Sequence, residues 1–159
     1  MRKRKINPQY LRRITSQDVK DESIDTLEFA DSLKRFADEY LGGIMSISIE
    51  GVARGSVSLK LPVASYLIRL LCECGDSDEF IEARISLEDE LTLSVSYKNP
   101  CPPEDVAQIV NVARLAGFEV KRNGNTLFFS ADISITSIMQ IYAVSAEEFF
   151  DMLVITHKM

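Results

Sequence analysis

Apolar residues first recur at helical spacing in DTLEFADSLKRFADEYLGG, where Phe29, Leu33, Phe36, Ala37 and Tyr40 fall on one face. Asp25 and Glu28 stand at capping-box spacing at its start, and Gly42-Gly43 closes it. The period then shifts from helical to alternating. IMSISIE (residues 44–50) predicts a strand, GVARG a turn with glycine at both ends, and SVSLK a short partner strand that completes a hairpin. Pro62 opens a second helix, where its missing N–H costs nothing; Val63, Leu67, Leu70, Leu71 and Cys74 share one side and GDSD stops it.

FIEARISL (80–87) and LTLSVSY (91–97) alternate cleanly across a short EDE link, which predicts a second hairpin. After YKNPCPPED comes a third helix, about Glu104 to Ala116, with Val106, Ile109, Val110 and Ala113 inward. FEVKR, an NGN turn and TLFFSADI predict another hairpin. The end, SIMQIYAVSAEEFFDMLVITHKM, predicts a strand and then a helix capped by Ser145 and Glu148.

This order implies an α/β (α+β) chain folded as a two-layer sandwich, a mixed or antiparallel sheet with helices on one face. Residues 1–24 carry little periodicity and predict a basic arm with a short helix near Pro8–Ile14. Residues 25–159 predict one domain, in which 134–159 is a carboxy-terminal strand–helix extension.

Composition changes the picture little, but charge divides the chain. The 159 residues are 46% hydrophobic and 26% charged, as in an ordinary globular domain. No apolar run approaches the roughly 20 residues of a membrane span, and the first residues lack a signal peptide's apolar core, so the expected location is cytoplasmic with no membrane partner. The first 13 residues hold six basic and no acidic side chains. The remainder has 12 basic against 24 acidic residues, a net charge of −12. Such a body argues against nucleic acid binding beyond the amino-terminal arm.

Cys72, Cys74 and Cys101 are too few, with the single histidine His157, to predict a zinc site, and are expected to be buried reduced thiols. His157 is expected on the surface of a fraying last turn. No Ser–His–Asp or Cys–His arrangement is present.

Three segments carry a resemblance. SYLIRLLCEC, LTLSVSYKNPCPPED and ARLAGFEVKRNGNTLFFSADI, in this order and at these lengths, resemble the N-box helix, the G1 strand with its exit, and the closing hairpin of the histidine kinase-like ATPase domain. This is the GHKL or Bergerat fold of sensor histidine kinases and anti-sigma factor kinases, and the resemblance covers about residues 25–133. It implies a nucleotide pocket, but the residues depart from the family's pattern. Glu73 stands where an asparagine coordinates magnesium, with Arg69 one turn earlier on the same face. Tyr97 stands where an aspartate accepts from the adenine amino group. Asn99 and Cys101 replace glycines that let backbone approach the nucleotide. The mobile ATP lid is absent, and three prolines remove N–H donors that a phosphate site uses.

Two readings follow. In the first the chain is a non-catalytic regulatory or interaction protein that has lost lid and glycine motifs, with no cofactor and no ATP hydrolysis or phosphotransfer. In the second Arg69, Glu73, Tyr97 and Asn99 line a reduced pocket for a small ligand or another nucleotide. The apolar cluster Phe149, Phe150, Met152, Leu153 and Val154 either packs on its own domain or docks a protein partner, a second copy included.

Overall fold

The computed structural model describes residues 8–14, 19–74, 79–135 and 143–159. Five helices and eight strands follow in the order α1 (Pro8–Ile14), β1 (Glu22–Asp25), α2 (Thr26–Tyr40), β2 (Met45–Gly51), β3 (Ser56–Leu59), α3 (Leu61–Cys74), β4 (Ile81–Leu87), β5 (Glu90–Ser96), α4 (Pro103–Ala116), β6 (Glu119–Asn123), β7 (Thr126–Asp132), β8 (Ala143–Val144) and α5 (Ala146–Lys158).

The alternating segments build the main sheet, ordered β2-β4-β5-β7-β6. β2 and β4 run parallel and the remaining neighbours antiparallel. Register places Ile47 beside Ala83, Ile85 beside Leu93, Val95 beside Leu127 and Leu93 beside Phe129, so the apolar residues of four strands share one buried face. Ser46, Ser48, Glu82, Arg84, Ser94 and Ser96 point the other way and leave a polar face uncovered by helices. The two-layer mixed sheet expected from periodicity is therefore present, as are the β4–β5 and β6–β7 hairpins. Gly124, at φ 62, supplies the left-handed residue of the second turn.

One expected hairpin does not form. β3 leaves β2 and pairs antiparallel with β1, whose other neighbour is β8, in a second sheet ordered β3-β1-β8. Gly51, at φ 85, crosses so close to the Leu87 backbone that a side chain there would overlap it, and the Ala53 N–H donates to the Leu87 carbonyl at 3.2 Å. These contacts carry the GVARG segment past the end of β4 instead of turning it back along β2. A Lys34 Nζ donation to the Ile47 carbonyl, 3.3 Å, meets β2 from α2.

The expected arm is likewise shorter than residues 1–24. Its last three residues belong to β1, where Ile24 is fully buried and pairs with Val57. α1 occupies the expected Pro8–Ile14, and Ile14 reaches the core. Residues 1–7, most of the basic run, lie outside the described residues, as do 136–142 of the predicted last strand.

The helices cover the apolar face. α3 is buried on nearly every side: Leu61, Val63, Tyr66, Leu67, Leu70 and Leu71 are all inaccessible or close to it. A helix with apolar residues all round lies between layers. α5 closes the layer against α2 and α3. Phe149 stacks on Phe29 at 4.9 Å between ring centroids, Tyr40 meets Phe150 at 6.1 Å, and His157 stands edge-on to Phe36 at 5.5 Å. Arg35 lies 3.8 Å over the Phe150 ring while pairing with Glu39 and Glu147. The hydrogen bond to Glu39, then that to Glu147, raises its pKa above the ordinary value.

Of the two alternatives for the α5 cluster, packing on its own domain is the one seen: Phe149, Phe150 and Leu153 are core residues. His157 is half-buried among aromatic rings, where its flat edge completes the packing of a capped helix rather than a fraying turn. Ser145 does cap α5, accepting from the Glu148 N–H at 3.2 Å.

Candidate functional site

The residues singled out by the sequence lie around the last turn of α3 and the β5–α4 junction, in two groups. The first is on α3. Arg69 and Glu73 sit one turn apart, as their spacing requires, and Arg69 Nε donates to Glu73 Oε1 at 3.0 Å. Only 11% and 14% of these side chains is exposed, so the pair is largely desolvated. Arg69 Nη1 also donates to the Thr156 carbonyl at 3.3 Å, in the final turn of α5. That carbonyl also accepts from the Met159 N–H at 3.4 Å, and a cation there meets the negative end of the helix dipole. Thus α5 covers this face of α3 and its carbonyl occupies the guanidinium.

The second group is the junction itself. Tyr97, immediately after β5, is 5% exposed, and its hydroxyl donates to the Leu71 carbonyl of α3 at 2.6 Å. Its N–H donates to the Asn125 carbonyl at 3.0 Å, continuing the pairing of β5 with β7. The Asn99 N–H donates to Glu79 Oε1 at 2.9 Å, which places a buried carboxylate under the loop. Glu79 was not legible in the sequence as a site residue. It sits beside a charged, turn-like run, and only the return of β5 to the start of β4 brings Asn99 to it.

The cysteines differ from expectation. Cys74, the last residue of α3, and Cys101 are joined as a disulfide with Cα atoms 6.1 Å apart, while Cys72 is a buried thiol outside that bridge. The Cα separation is that of an ordinary disulfide. The residues are 27 positions apart, and the pairing becomes visible only when β4 and β5 return the chain to the end of α3.

Arg69 and Glu73 therefore face α5, whereas Tyr97 and Asn99 are tied to Leu71 and Glu79. Two small cavities lie beside these residues. One, lined by Tyr97, Cys101, Val106, Asn125 and Leu127 among others, has a volume of about 10 Å³. Another of about 10 Å³ lies between Phe36, Ser65, Arg69, Cys72, Leu153 and His157. Each has room for about one water molecule. Among the described residues, no group of three or more His, Cys, Asp or Glu side chains is placed to hold a metal ion. No helix among them is long and apolar enough to cross a membrane.

No protein-family model and no curated protein matches the sequence. Similar solved structures are histidine kinase domains. The chain is similar to the catalytic domain of histidine kinase ThkA at 12% identity and TM-score 0.48, over 73% of this chain and 99% of that one. It is similar to the Acinetobacter baumannii histidine kinase AdeS at 13% identity and TM-score 0.47, over 81% and 77%. A third is the histidine kinase domain of the Erythrobacter litoralis blue-light activated kinase, at 13% and 0.40, over 92% and 72%. At these identities the similarity concerns the path of the chain alone.

Proposed function

We propose that this chain is a non-catalytic regulatory or interaction protein of cytoplasmic signalling, built on a histidine kinase-like ATPase fold and acting by contact with another protein. The observation that carries this reading is the Tyr97 hydroxyl bonded to the Leu71 carbonyl at 2.6 Å. At the position where the resemblance implies a carboxylate that reads adenine, a phenol instead reaches into the helix layer and joins it. An aromatic side chain with its one donor satisfied offers a purine amino group no comparable acceptor.

The neighbouring residues support the same reading. A magnesium–triphosphate fits poorly with Glu73 already engaged by Arg69, and with Arg69 shared with the end of α5. Pro100, Pro102 and Pro103 offer no N–H to phosphate oxygens. No phosphoryl-transfer step is assigned to this site. What remains for a partner is surface, and Phe149, Phe150 and Leu153 are not part of it.

Thermal melting of the full chain with and without magnesium–ATP tests the proposal. A ligand held by the folded state at 100 times its Kd stabilises it by about 2.7 kcal/mol. That is a rise of roughly 5–10 °C for a domain of this size. The expected shift is none across ATP, ADP, GTP and cyclic nucleotides. A rise of this size that Arg69→Ala and Tyr97→Ala both remove would establish the reduced-pocket reading in its place.

A further inference from the structure

We propose that Cys74 and Cys101 form a reversible dithiol–disulfide couple that fastens the β5–α4 loop to the end of α3 when oxidised and releases it when reduced. This goes beyond the partner reading and does not depend on it.

The loop needs such a fastening because of its prolines. Between Tyr97 and α4 the chain is Lys98-Asn99-Pro100-Cys101-Pro102, and α4 begins with Pro103. Three of these six residues have no N–H, so only Lys98, Asn99 and Cys101 have backbone donors with which to hold the segment. The Asn99–Glu79 bond ties its first half. Its second half is tied to α3 by the sulfur bridge, Cα to Cα 6.1 Å. Breaking that bridge leaves Cys101 with no link of its own to the end of α3.

Position also makes the couple addressable. Cys101 is half-buried, whereas Cys74 is 6% exposed and Cys72 is buried, so a small disulfide reaches Cys101 first. Cys101 is thus the attacking sulfur and Cys74 the resolving one.

The oxidant is a low-molecular-weight disulfide of the glutathione class. The Cys101 thiolate attacks one sulfur of that disulfide, breaking its S–S bond and expelling one thiolate. The Cys74 sulfur, losing its proton, then attacks the Cys101 sulfur of the mixed disulfide and expels the second. Two electrons pass from the protein thiols to the small disulfide, and their two protons end on the two released thiols. Reduction is the same exchange reversed. A reducing compartment holds such a pair as dithiol until the balance changes.

The test equilibrates the full chain with graded ratios of reduced to oxidised glutathione, then counts free thiols with a maleimide under denaturing conditions. Hydrogen exchange is read by mass spectrometry on the same samples. The expected result is three reactive thiols at the reducing end and one at the oxidising end, with Cys72→Ser showing two and none. The Asn99 amide, which donates to Glu79, exchanges at least about tenfold faster in the reduced chain, while those of β4 and β5 keep their rates. Reduction of the unaltered chain supplies this comparison even where Cys101→Ser folds poorly. Three outcomes overturn the proposal: a bridge that glutathione cannot reduce at any ratio, stable glutathione adducts in place of the bridge, or loop exchange indifferent to oxidation.

Discussion

Phe149→Ala separates a helix that belongs to the domain from one held ready for a partner. Phe149 is fully buried and its ring stacks on Phe29 at 4.9 Å, with an interplanar angle of 13°. Truncating a buried phenylalanine removes its transfer free energy and leaves a cavity, together about 3–5 kcal/mol. With a urea m-value of about 2 kcal/mol/M, the midpoint falls by about 1.5–2.5 M. Ile155, on the same helix but 62% exposed, supplies the control: Ile155→Ala is expected to change stability by less than about 0.5 kcal/mol. Both variants are unfolded in urea and followed by far-UV circular dichroism. If the larger change exceeds total stability and the chain does not fold, Phe149→Leu gives the same comparison at a smaller cost, about 1–1.5 kcal/mol. The packing described here is refuted if Phe149→Ala unfolds within about 1 kcal/mol of the unaltered chain. The helix would then be free to serve as the docking surface its apolar width suggests.

Two further substitutions address the site. Tyr97→Phe removes the donor to the Leu71 carbonyl and keeps the ring, and is expected to cost about 1–2 kcal/mol in urea unfolding; a change near zero would show that the bond does not hold the loop to α3. Arg69→Ala leaves the Glu73 carboxylate with little solvent and the Thr156 carbonyl without its cation, an expected loss of about 2–4 kcal/mol. Adding Glu73→Gln should recover part of that loss, because a neutral amide is less costly to desolvate than a carboxylate. No recovery in the double variant would mean that the charge pair is not what stabilises this turn.

The extent to which the sequence was legible differs from element to element. β4, β5 and β7 were plain because each alternates apolar and polar residues over a full strand, and a local period survives whatever surrounds it. β1 was not. ESID is four residues long, follows a charged run, and gains its identity only by pairing with SVSL across 31 residues or more. The expected β2–β3 hairpin failed for the same reason: glycines at both ends of GVARG allow a turn, but the Leu87 backbone decides which way the chain leaves. At the candidate site Arg69 and Glu73 were readable as a pair from helical spacing alone, whereas Glu79 and the Cys74–Cys101 bridge were not.

By itself, the sequence determined the succession of elements apart from β1, the face that β2, β4, β5 and β7 bury, the helix cap at Ser145 and the proline-stiffened exit from β5. All of these follow from interactions within a few residues. Only the tertiary structure decided that β3 joins β1, that Phe149 is core, and that Tyr97 and Cys101 are fastened to α3. Each of those depends on distant segments meeting, and which segments meet is set by how the whole apolar face is closed from water, not by any local period.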